Sequence, residues 1–140
     1  MSFDPIELLK KEIEWWEDNL KTQPIDDEVY RKLTSPKNSF LCSCYNNEHL
    51  LDSNCYNCPI YEMTNLQYCE ETPYIDIIAI YDELLATKDE FMEVDNKKQI
   101  TILTTQIKTI NDLLFKRCLD YLEFLKEVLT YTLKRDKGEI

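Results

Sequence analysis

From Tyr74 to Lys137 the chain runs for 64 residues without a proline or a glycine. Nothing in that stretch interrupts a helix, and its apolar residues recur with a helical period. Ile100, Leu103, Ile107, Ile110, Leu114, Arg117, Tyr121, Phe124, Val128 and Tyr131 alternate at spacings of three and four, with Cys118 standing in for Arg117. Upstream, Tyr74, Ile77, Ile78, Tyr81, Leu84 and Leu85 share a face, and Phe91 and Met92 extend it. One helix over the whole run would be about 90 Å long at 1.5 Å per residue. A turn is therefore expected near Asp95-Asn96-Lys97, giving two long antiparallel helices.

The N-terminal segment supplies a third helix. Asp4 is placed to cap it, Pro5 suits the first helical position, and Glu7 completes a capping box. Ile6, Leu9, Ile13, Trp16 and Leu20 form its apolar stripe, and Gln23-Pro24 stops it. A short second helix is expected over Asp26 to Leu33, and Ser35-Pro36 marks a boundary. Thr72 is expected to cap the helix that follows, with Pro73 as its first residue. The fold class is all-α: a bundle of about three main helices with an irregular insertion. One domain of 1–140 divides into N-terminal helices at 1–35, a cysteine-rich module at 36–72 and a long hairpin at 73–140. A dimer is also expected. Ile100 to Val128 carries about four heptads of apolar residues, and Leu122, Leu125 and Leu129 widen that surface.

In the middle segment the period dissolves. Cys42, Cys44, Cys55, Cys58 and Cys69 lie within 28 residues, with the single histidine, His49, among them. The N-terminus lacks a basic region followed by an apolar one, so no secretory leader is expected. In a reducing cytoplasm clustered thiols indicate metal rather than disulfides. Cys55-x-x-Cys58 has the spacing of a zinc knuckle, and Cys44 and Cys69 flank it with ten residues on each side. The expected ligands of a structural zinc are Cys44, Cys55, Cys58 and Cys69, with Cys42 as the substitute for Cys44. His49 reads as a polar surface residue rather than a ligand. An iron–sulfur cluster is the alternative, because four cysteines with Pro59 after Cys58 also suit iron. Pro59 is expected to open a helical turn through Met63.

The segment Cys55-Tyr-Asn-Cys58-Pro59-Ile60-Tyr61, followed by Cys69-Glu-Glu-Thr72-Pro73-Tyr74, resembles small cysteine-rich proteins of tailed phages. In those proteins a Cys-x-x-Cys-Pro segment precedes a further Cys and a Thr-Pro-Tyr step into a helix. The likeness covers residues 40–75. The first pair here is Cys42-Ser43-Cys44, where that family has Cys-x-x-Cys. The resemblance implies a viral origin and zinc, and it brings no activity.

Charge and composition narrow the function. The net charge is −11, and residues 1–35, 36–72 and 73–99 each carry −4, while 100–140 carries +1. Such a front repels nucleic acid and anionic membrane and favours a basic partner. The commonplace account of the same residues is a solubilising surface. A single glycine, Gly138, excludes glycine-rich phosphate loops, and a single histidine argues against histidine-based hydrolysis. No apolar run is long enough to span a bilayer. The expected protein is a cytoplasmic, non-enzymatic, zinc-stabilised module that binds, and inhibits, a host or viral protein with a basic surface. A nucleic-acid-handling host defence enzyme is the specific expectation. Glu12, Glu14, Glu17 and Asp18, then Asp82, Glu83, Asp89, Glu90, Glu93 and Asp95, are the candidate contact carboxylates.

Two other functions compete. A zinc module that binds nucleic acid could stack bases on Tyr45, Tyr56, Tyr61 and Tyr68, yet residues 36–72 contain one basic residue, Lys37. A metal-dependent enzyme would need an open zinc position beside an acid or base. Glu48, Asp52, Glu62, Glu70 and Glu71 are available for that role.

Overall fold

The computed structural model describes residues 4–21, 27–34, 59, 63 and 73–138. Among these the regular structure is helical: α1 (Pro5–Leu20), α2 (Asp27–Leu33), α3 (Tyr74–Met92) and α4 (Lys97–Asp136). The all-α expectation holds. No helix of the described residues is long and apolar enough to cross a membrane.

Local chemistry sets each boundary. The Asp4 carboxylate accepts from the Ile6 amide at 3.0 Å, satisfying one of the orphan donors of α1. Glu7 does not close the expected box; its carboxylate lies 4.0 Å from Lys10 Nζ one turn on. Pro73 takes the cap position of α3, not its first helical position, and Thr72 lies outside the described residues. The expected break between the long helices falls at 93–96. There Asn96 leaves the helical region, at φ −80° and ψ 124°, and its side chain accepts from the Lys98 amide at 2.8 Å. At the far end of α4, Gly138 adopts φ 73°, and its amide donates to the Arg135 carbonyl at 3.0 Å. That left-handed residue, the chain's one glycine, ends the helix by the usual C-terminal device.

α4 is 40 residues long, about 60 Å at helical rise, and both α3 and α1 pack on it. α3 returns along its first half through Tyr74, Ile77, Tyr81 and Leu84. α1 contributes Leu9, Ile13, Trp16 and Leu20 to the same core, which Leu114, Cys118, Tyr121, Leu122, Leu125 and Val128 of α4 complete. Cys118 does replace Arg117 in the stripe.

Two expectations change. Leu85 of α3 is exposed and Met92 is 81% exposed, so neither belongs to the apolar face, whereas Phe91 is half-buried. Leu122 and Leu125 are buried within the chain and Leu129 packs half-buried against the same core. These three leucines therefore add nothing to an exposed apolar surface. The reason is that α1 and α3 both pack on α4 and cover this part of its apolar face.

Candidate functional site

The α1 stripe includes one residue that is not apolar. Glu12 lies three residues after Leu9 and four before Trp16, which puts it on the buried side of the helix. It is 1% exposed, and its carboxylate accepts from Trp16 Nε1 at 3.3 Å. This removes Glu12 from the set of surface carboxylates. A buried carboxylate survives only with hydrogen-bond partners, and the i,i+4 indole supplies one.

Trp16 is the point where three helices meet. Its ring is edge-on to Tyr121 of α4 with centroids 5.0 Å apart, and edge-on to Tyr74 of α3 at 6.2 Å. Tyr74 and Tyr121 lie 5.3 Å apart, and Phe124 stacks on Tyr121 at 5.9 Å. The Tyr74 hydroxyl donates to the Leu33 carbonyl and so ties the end of α2 to the start of α3. Tyr30 of α2 sits 6.4 Å from Tyr81. Edge-to-face pairs of this kind add to simple burial. The cluster locks the bundle, and its closed surroundings make it structural. Thr132, the other buried polar side chain of the described residues, donates to its own helix at the Val128 carbonyl, 2.8 Å away.

The surface chemistry is divided between helices. From Tyr74 to Asn96 there are seven acids and one lysine; from Lys97 to Gly138 there are nine bases and five acids. Asp82, Glu83, Asp89, Glu90, Glu93 and Asp95 are all exposed, as are Glu14, Glu17 and Asp18 of α1. Nine of the ten expected contact carboxylates therefore face solvent. Asp18 pairs with Lys21 at 3.3 Å, an exposed contact between residues three apart.

The expected metal ligands Cys44, Cys55, Cys58 and Cys69, and the alternatives Cys42 and His49, lie outside the described residues. Among the described residues no three His, Cys, Asp or Glu side chains come together to hold a metal ion. From the cysteine-rich segment, Pro59 and Met63 are described, both with helical backbone. Pro59 is fully buried and Met63 packs against the core. The sixth cysteine, Cys118, is buried, and burial pushes its thiol up from 9.0 to about 12, so it stays protonated and unreactive at neutral pH.

Comparison with models of known families, with curated proteins and with solved structures finds no match for this chain.

Proposed function

We propose that this chain is a non-enzymatic interaction protein that binds a basic protein surface through carboxylates of α1 and α3. The observation that carries the reading is the division of charge, with seven acids against one lysine between Tyr74 and Asn96 and their exposure on α3 and the turn after it. Exposed like charges on one helix repel one another, a standing cost that a basic partner relieves. A groove built to hold nucleic acid is such a surface, because Lys and Arg contacts to phosphate dominate that binding. Together with the resemblance to phage proteins, this favours a nucleic-acid-handling host enzyme as the partner and competition with its substrate as the effect.

The body presenting those carboxylates is stapled by a structural zinc on Cys44, Cys55, Cys58 and Cys69. The spacing around Cys55 and Cys58 supports that assignment. Elemental analysis of protein purified without added metal tests it. About one zinc per chain is expected, and less than about 0.2 equivalents overturns it.

A tagged pull-down from host extract with mass spectrometry, repeated with Glu14→Lys, Glu17→Lys and Asp18→Lys together and with Asp89→Lys, Glu90→Lys and Glu93→Lys together, tests the partner. Capture should weaken in the variants and as added salt shortens the screening length below its ~8 Å in physiological buffer. Equal capture by all forms, or recovery of nucleic acid in place of protein, overturns the reading.

A further inference from the structure

The first half of α4 carries a second stripe that α3 does not cover. Gln99, Ile102, Gln106, Thr109 and Leu113 follow at spacings of three and four, so they share one face, and all five are exposed. Ile102 is 48% and Leu113 39% exposed. No member is charged. The Thr109 hydroxyl donates to the Thr105 carbonyl at 3.0 Å, which turns its polar atom to its own helix and leaves its methyl to the outside. This face lies about 100° round the helix from the seam of Leu103, Ile107, Ile110 and Leu114, one residue's turn away.

Two charges bordering the stripe are placed to pair across a two-fold axis. When two copies of α4 run antiparallel with the two-fold axis near Thr105 and Gln106, residue i meets a residue whose number is close to 211 minus i. Gln99 then meets the partner copy's Leu113, Ile102 its Thr109, and Gln106 its own counterpart. In the same register Lys98 faces the other copy's Asp112. Both are exposed. Two-fold symmetry makes that pair twice. A parallel arrangement would set Lys98 against Lys98 and Asp112 against Asp112.

The geometry points to an isologous dimer in which α4 of one chain pairs antiparallel with α4 of a second through Ile102, Gln106, Thr109 and Leu113. The occupant of the stripe is thus another copy of this chain. The contact is independent of the acidic residues proposed to bind a partner, and it leaves the outer carboxylates of α1 and α3 open. A stripe about 21 Å long buries less than the ~800 Å² per partner of a standard interface, so the dimer is weak and concentration-dependent.

Sedimentation equilibrium over a wide concentration range tests it on the intact chain. The expected result is a reversible rise from 16.8 kDa toward twice that mass. Leu113→Glu and Ile102→Glu should each hold the chain monomeric, with helix content unchanged because both positions are exposed. Lys98→Glu should weaken the dimer at least about threefold at low salt, and Lys98→Glu with Asp112→Lys should restore it. That restoration has no explanation in a merely damaged fold. A monomer at every concentration overturns the proposal, as does a dimer indifferent to Leu113→Glu and Lys98→Glu.

Discussion

Glu12 shows how a single residue can follow its place in a period rather than its charge. Replacing it by Ala would strand a buried indole donor, and the expected loss is about 1–3 kcal/mol, measured by urea unfolding. Glu12→Gln keeps an oxygen at the acceptor position and should lose less; equal losses would show that the 3.3 Å contact to Trp16 contributes nothing. The position was legible in principle, since Leu9, Glu12, Ile13 and Trp16 fall on one face, but a carboxylate among acidic neighbours reads first as surface. Cys118 was read correctly, because its apolar neighbours leave no polar alternative. Its thiol titrates at about 9.0 when unfolded and about 12 in the bundle. A folded value raised above the unfolded one gives stability that is complete below pH 9 and declines as pH rises toward 12. Unfolding free energies at pH 8 and pH 10.5 should fall more for the native chain than for Cys118→Ala, and an identical fall would sink this account.

At the scale of elements, boundaries were legible wherever one side chain makes them. A helix of implausible length demanded a break, and Asp95-Asn96-Lys97 offered the residues for it. Asn96→Ala removes the acceptor for the Lys98 amide and should cost about 1 kcal/mol, seen as a lower thermal midpoint with the helix content retained. A midpoint unchanged in Asn96→Ala would mean that the turn is held by the packing of α3 on α4 alone. The limits of the apolar faces were less legible. Leu84 and Leu85 are equivalent as letters, yet Leu84 is fully buried and Leu85 exposed, because only one side of α3 meets another helix. Local periodicity gives a face its direction and leaves its width to the neighbours.

For the whole molecule, the bundle was legible and its junction was not. Trp16, Tyr74 and Tyr121 come from three distant segments, and no periodicity within one helix announces that they converge. The candidate metal ligands were read from spacing alone, and their test is chemical. Cys58→Ser should abolish zinc binding and lower the melting temperature while leaving much of the far-UV helical signal, since a lost thiolate removes folding energy from its own module. Unchanged zinc content in that variant would refute the ligand assignment. The meeting of Trp16 with Tyr121 also has a consequence in time. The turn at 93–96 lets α3 and α4 find each other over a few residues of chain, whereas α1 must close a loop of roughly a hundred residues to reach Tyr121. Local contacts form early and distant ones late, so the hairpin is expected to form first and α1 to dock onto it afterwards. Leu9→Ala should then accelerate unfolding and barely slow refolding, while Leu84→Ala should slow refolding. Stopped-flow fluorescence of Trp15 and Trp16, both on α1, would report the last step of that order, the arrival of the first helix in the sequence.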